Sequence, residues 1–210
     1  MKNATKHADE LKSLCRKLMR EHKPDAELQP QDALWALVRG AMSYDVADGR
    51  AEDAIKVIQK EFVDLNELRV GTELEVQDLL GVRYPKIEER VKLITSALNA
   101  IFEKEHTLSL DRLKDVSRRD ARQFLRDLPE MTPFVEAYVM LFSFGGHAFP
   151  LDEGMLEYLR DDEIVEESTP AEEAQKFVEH HLKAEEMFPF YVALRAASAE
   201  GSKGKKKAKA

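Results

Sequence analysis

Cysteine is nearly absent from this chain of 210 residues: Cys15 stands alone. One thiol cannot build a disulfide framework, a zinc site of the CxxC type or a cysteine-held iron–sulfur cluster within one chain. Cys15 shares helical spacing with Leu11, Leu14 and Leu18, which predicts a buried thiol. Long apolar runs are missing too. The best candidate, around Phe134 to Leu151, is broken by Glu136, by Gly145 and Gly146, by His147 and by Pro150, well short of the ~20 apolar residues that span a bilayer. The N-terminal MKNATKHADELKSLCRK has no apolar core of a signal peptide, so the expectation is a cytoplasmic protein with no membrane partner and nothing cleaved from its start.

Charge is unevenly distributed. The formal net charge is −8, yet the C-terminal GSKGKKKAKA carries five lysines and no acid, so the rest of the chain is near −13. Between Pro150 and Pro189 thirteen acids face only Arg160, Lys176 and Lys183. A surface of that composition repels a polyanion, whereas the lysine tail supplies salt-sensitive, sequence-blind attraction to nucleic acid.

Strand-like alternation is absent, internal repeats are absent, and apolar residues recur at three and four almost throughout. The pattern predicts an all-α protein of ten or so helices. Leu11, Leu14, Cys15 and Leu18 mark a first helix, and Leu34, Leu37, Val38 and Ala41 a second after Pro30. Ala51, Ala54, Ile55, Ile58 and Phe62 form a third stripe. Thr72 with Glu75 reads as a capping box for a short helix ending near Gly81. Ile87, Val91, Ile94, Leu98 and Ile101 make the longest stripe. Ser117 and Asp120 open a helix that runs to about Asp127, and after LPEMTP comes FVEAYVMLFSF, apolar nearly all round. Thr132 is its N-cap and Pro133 its first residue. Asp152 starts the next helix, Thr169-Pro170-Ala171-Glu172 caps another, and the last runs through Tyr191 and Leu194. Beyond about Ser198 the composition predicts disorder.

The unit from 117 to 160 carries the most information: a helix, a short LPxxxP break, an apolar helix, a glycine pair, then Pro-x-Asp entering another helix. It resembles the helix-hairpin-helix DNA glycosylases, the endonuclease III-like proteins. Their hairpin reads roughly L-P-G-V-G-x-K-T-A, with V-D-T about 18 residues after the lysine. Here the run is Leu128-Pro129-Glu130-Met131-Thr132-Pro133-Phe134-Val135-Glu136, with Leu151-Asp152-Glu153 at that distance. ALVRGAMSYDVADGRA, Ala36 to Ala51, is similar to the family's helix and loop with an Asp-Val pair, and LLGVRYPKIEER to its glycine-aromatic-x-Lys-Ala turn. The likeness extends from about residue 30 to 197.

The departures from the family pattern are equally specific. Glu130 and Thr132 stand where the hairpin has glycines, and Pro133 removes an N–H donor. Backbone N–H groups around Phe134 and Val135 can still hold an anion. Phe134 occupies the place of the lysine that forms an imine with the sugar, and no lysine occurs between Lys114 and Lys176. The resemblance therefore implies no lysine-dependent strand cleavage. The chain ends in a lysine tail where the family often has a four-cysteine loop, so no cluster or other cofactor is expected. Met42 falls where a polar side chain often wedges into the gap left by a flipped base; methionine can wedge but not hydrogen-bond. Asp152 matches the aspartate that stabilises charge on the sugar as the base leaves.

Each of these residues also has a plain structural reading. Asp152 has the position of an ordinary N-cap, and a cap is also a rigid mount for a catalytic group. Arg118, Arg119, Arg122 and Arg126 form either a phosphate-facing stripe or, with Asp115, Asp120 and Asp127 interleaved, a solvated salt-bridge face. Phe134, Tyr138, Phe142 and Phe144 are best read as core. His147 is best read as structural or merely exposed.

The resemblance implies a two-lobed glycosylase fold with a cleft. One lobe covers about 30–130, the other 1–29 with 131–198, and 199–210 form a disordered lysine-rich tail. The implied function is a monofunctional DNA N-glycosylase of base-excision repair, a monomer acting on duplex DNA with a damaged or mismatched base. Asp152 is the catalytic residue, and Pro129, Glu130, Met131, Thr132, Phe134, Met42, Arg118 and Arg122 contact DNA. The alternative is a non-catalytic relative that serves as a DNA-binding or protein-interaction module.

Overall fold

A computed structural model of the chain describes residues 4–23 and 28–208. Eleven α-helices account for nearly all of its regular structure among those residues: α1 (Ala4–His22), α2 (Ala33–Ser43), α3 (Asp48–Glu61), α4 (Leu65–Val70), α5 (Glu73–Leu80), α6 (Ile87–Glu105), α7 (Arg118–Arg126), α8 (Pro133–Phe144), α9 (Glu153–Asp161), α10 (Ala171–His181) and α11 (Ala184–Ala208). A 3-10 turn, Asp111–Lys114, lies between α6 and α7. None of the described helices is long and apolar enough to cross a membrane.

The chain divides into two compact units, Pro30–Gly145 and Met1–Gln29 with Gly146–Ala210. The boundary expected near residue 130 thus falls at the glycine pair, and α8 belongs with the helices before it. The reason is packing. α8 lies against α2 and α7, and Gln31 N–H donates to the Phe142 carbonyl at 2.9 Å, tying the entry of α2 to the end of α8. Gly40 allows the close approach: a Cβ there would stand 3.2 Å from Tyr138 Cβ. Around this pair, α6 supplies Val91, Ile94, Leu98 and Ile101, all fully buried, and α4 and α5 cover its other side.

The second unit packs α1 against α11 and α10, and α9 against α11. Leu11, Cys15 and Leu18 of α1 are buried, as are Met155 and Leu159 of α9. Cys15 is buried, as its spacing predicts, and burial pushes its thiol up to about 12, with Glu186 adding to the effect.

Local signals read from sequence recur as atoms. The Thr72–Glu75 capping box is complete, Gly145 caps α8 in the left-handed region at φ 56°, and Ser117 caps α7. At the start of α10 the cap position is Pro170, with no side-chain cap bond, so Thr169 does not serve as expected. The final helix continues to Ala208, past the point where disorder is predicted. Extending a helix already fixed by packing needs no new nucleus, and alanine and lysine favour extension. The side chains of the lysine tail, and residues 209 and 210, lie outside the described residues.

Candidate functional site: a helical hairpin and a capped aspartate

In the 30–145 unit, α7 and α8 are joined by Asp127 to Thr132, the break that sequence analysis singles out. Thr132 caps α8, its Oγ1 accepting from Val135 N–H at 3.2 Å, and Glu136 N–H bonds the Thr132 carbonyl. The Val135 amide expected to face an anion is therefore taken internally, and Pro133 has none to give. Phe134 N–H is the remaining first-turn donor.

Glu130 sits at φ 58°. A left-handed backbone is what a glycine supplies at this position and what a glutamate resists, by roughly 1–2 kcal/mol. Its side chain turns to α6, where Lys92 Nζ lies 2.7 Å from Glu130 Oε1. That bond raises the Lys92 pKa above its ordinary value. Both side chains are about half exposed, so solvent screens the pair and it offsets little of the backbone cost. Pro129 is exposed and Met131 half-buried.

Phe134 is 2% exposed. Its ring meets Tyr44 edge-on at 5.2 Å and tilts against Tyr138 at 6.1 Å, and Tyr138 stacks on Phe142 at 4.2 Å. These aromatics are core, as their helical spacing predicts, so the DNA contact also expected of Phe134 does not fit its burial. Met42 is also core, with no exposed surface, so the wedge role read from sequence does not fit its position. Its carbonyl accepts from Tyr84 Oη at 2.8 Å, which locks the end of α2.

The arginines of α7 divide. Arg118 and Arg119 are exposed. Arg122 Nε lies 2.5 Å from Glu136 Oε1, and Arg126 Nε donates to Glu136 Oε2 at 3.1 Å. Glu136 itself is 1% exposed. Burial raises its carboxyl above the ordinary glutamate value, with Arg122 and Arg126 opposing that rise. Neither a fully free stripe nor a purely solvated face is found: two of four arginines bind one buried acid.

A second buried charge was not foreseen. Arg90 of α6 donates to the carbonyls of Ala41, Tyr44 and Pro85, at 2.6 Å for the last two. It fastens the loop after α2 to the loop before α6, and its cation faces the negative end of α2. In sequence it interrupts the apolar stripe between Ile87 and Val91, the only hint available.

In the other unit, Asp152 caps α9. Oδ1 accepts from Met155 N–H at 2.8 Å, and Oδ2 receives Arg195 Nη1 of α11 at 3.1 Å. Asp152 is 6% and Arg195 9% exposed. The approach to the cap is also fixed: Phe149 stacks on Phe190 at 5.3 Å, and its N–H donates to Glu179 Oε1 at 3.0 Å. His147 is exposed and bonded to the Leu182 carbonyl at 2.9 Å, a structural contact. Arg195 is the partner that sequence reading missed, since FYVALRAAS reads as a core face with a cation at its edge. Among the described residues no group of His, Cys, Asp and Glu is arranged to hold a metal ion.

No family model and no curated protein matches this sequence. Solved structures do match. The 8-oxoguanine glycosylase/lyase of Clostridium acetobutylicum, bound to DNA with cytosine opposite 8-oxoG, superposes with a TM-score of 0.72 and 17% identity, over 95% of this chain and 71% of that one. A trapped endonuclease III–DNA covalent intermediate gives 0.71 and 12% identity over 90% of this chain and 84% of the other. The H. pylori 3-methyladenine DNA glycosylase bound to 1,N6-ethenoadenine gives 0.63 and 12% over 95% and 98%. At these identities the likeness establishes the fold: the chain has the all-α fold of the helix-hairpin-helix DNA glycosylases.

Proposed function

We propose that this protein is a monofunctional DNA N-glycosylase of base-excision repair, hydrolysing the base–sugar bond of a damaged or mismatched nucleotide in duplex DNA through Asp152. The observation that carries the reading is the mounting of that carboxylate. A helix N-terminus and a guanidinium both favour its anionic form, and both hold it in one rotamer. A fixed anion in poorly hydrated surroundings stabilises the oxocarbenium-like sugar that develops as the base departs, and it can orient the attacking water.

Strand cleavage through an imine needs an amine nucleophile. At the hairpin position Phe134 offers a buried ring instead. Contact with the DNA backbone falls to the start of α8 from Thr132, to the exposed Arg118 and to the turn Pro129–Met131, with the lysine tail adding non-specific attraction. Glu130 works against a phosphate there, which implies weak binding by the folded body.

One observation favours the second reading, a non-catalytic binding module: Asp152 Oδ2 is already engaged by Arg195. The test is base release from duplexes carrying uracil, oxidised pyrimidines, alkylated purines or purine mismatches, followed by hot alkali. Cleavage only after alkali, lost in Asp152→Asn, is the expected result. Absence of release from every duplex would overturn the enzyme reading for these substrates in favour of the module.

A further inference from the structure

The cluster of Arg122, Arg126 and Glu136 is not explained by folding alone. A glutamate with 1% exposure, in a helix whose other residues are apolar except Ser143, is a costly choice. A well-packed apolar residue often serves stability as well as a buried ion pair. Its two partners, by contrast, reach the surface: the Arg122 side chain is 20% exposed and that of Arg126 47%. They stand four residues apart, one helical turn, with Arg118 a further turn back on the same stripe. All three lie on the helix that leads into the hairpin.

Guanidinium groups bind a carboxylate and a phosphate oxygen through the same N–H fork. Glu136 offers its two oxygens to two arginines, Oε1 to Arg122 and Oε2 to Arg126. Its position in the first turn of α8 adds the pull of the helix N-terminus on the anion. A solvent anion approaching α7 therefore meets two cations already compensated from inside.

We propose that Glu136 is an internal phosphate surrogate: it occupies an anion site formed by Arg122 and Arg126, and so restrains the binding of a DNA backbone phosphate at the hairpin. The inference rests on the reading of the chain as a DNA-binding protein. Removing the carboxylate frees two cations at the mouth of the hairpin, and each cation that meets a phosphate adds about 0.9 to the slope of log affinity against log salt.

The experiment is binding of a fluorescent, undamaged duplex oligonucleotide to the full chain, tail included in every variant, from low to moderate salt. Glu136→Gln should bind roughly tenfold more tightly at low salt, with a salt slope steeper by up to about two. Arg122→Gln with Arg126→Gln in that background should return both values to those of the parent. Glu136→Leu serves as the second variant if the glutamine protein melts early. Duplex binding by the parent with unchanged affinity and slope in both Glu136 variants overturns this inference and leaves the DNA reading standing. Failure of parent and variants alike to bind duplex overturns both. A lower melting temperature with no gain in binding assigns the cluster to folding only and also overturns the inference.

Discussion

Arg195 Nη1 stands 3.1 Å from Asp152 Oδ2, and both side chains are about 90% buried. This ion pair joins α11 to α9 and fixes the one carboxylate on which the proposed chemistry depends. Cap and ion pair use different oxygens, Oδ1 and Oδ2, so the two restraints act together.

Breaking that pair from the arginine side leaves a buried anion. Arg195→Met is expected to lower unfolding free energy by roughly 3–5 kcal/mol, the usual range for stripping one partner from a buried pair. Urea denaturation at neutral pH measures it. Retention of parental stability would mean that Asp152 is solvated in solution.

Glu130 tests the backbone of the hairpin. Glu130→Gly relieves a left-handed strain of about 1–2 kcal/mol while losing a half-exposed pair with Lys92 and stiffening of the unfolded chain. The expected net is between no change and a gain of about 1 kcal/mol, whereas Glu130→Val, β-branched, should lose at least about 1 kcal/mol. Paired denaturation curves decide it, and an equal loss in both would contradict the φ of 58°.

Gly40 tests the approach of α2 to α8. An added methyl lies 3.2 Å from Tyr138 Cβ, so one side must shift. Gly40→Ala should cost about 1–3 kcal/mol, overpacking outweighing the better helix propensity of alanine. A rise in melting temperature would show that the helices separate without penalty.

Glu136 makes stability depend on pH with a definite sign. Its folded carboxyl titrates above the ordinary value, mainly through burial. The folded state then binds the proton more tightly than the unfolded one, so this contribution is complete below the ordinary glutamate value of about 4.3 and is lost as pH rises through the folded value. Subtracting the Glu136→Gln stability profile from the parental one should leave a difference that declines over that window. A difference rising with pH would show the two arginines outweighing burial.

The all-α class, most helix boundaries and the caps at Thr72, Ser117, Thr132 and Asp152 were legible from sequence because they depend on local periodicity and on side chains within a turn of their own backbone. Phe134 and its aromatic neighbours were legible as core for the same reason: ring residues at helical spacing have one apolar face to fill. The ordered motifs also anticipated the fold that the solved glycosylases share.

What sequence could not assign is which distant group each charge meets. Met42 reads as a wedge by its place in a motif, yet helix packing buries it completely. Arg122 reads as phosphate-facing or solvated, and Glu136, fourteen residues further on, takes it instead. Arg195 lies 43 residues from Asp152. Helix periodicity fixes the direction a side chain leaves its own helix, and that is local information. The partner it meets is set by how helices pack, which is a property of the whole core; only the tertiary structure decided which acid the arginines of α7 meet and how Asp152 is mounted.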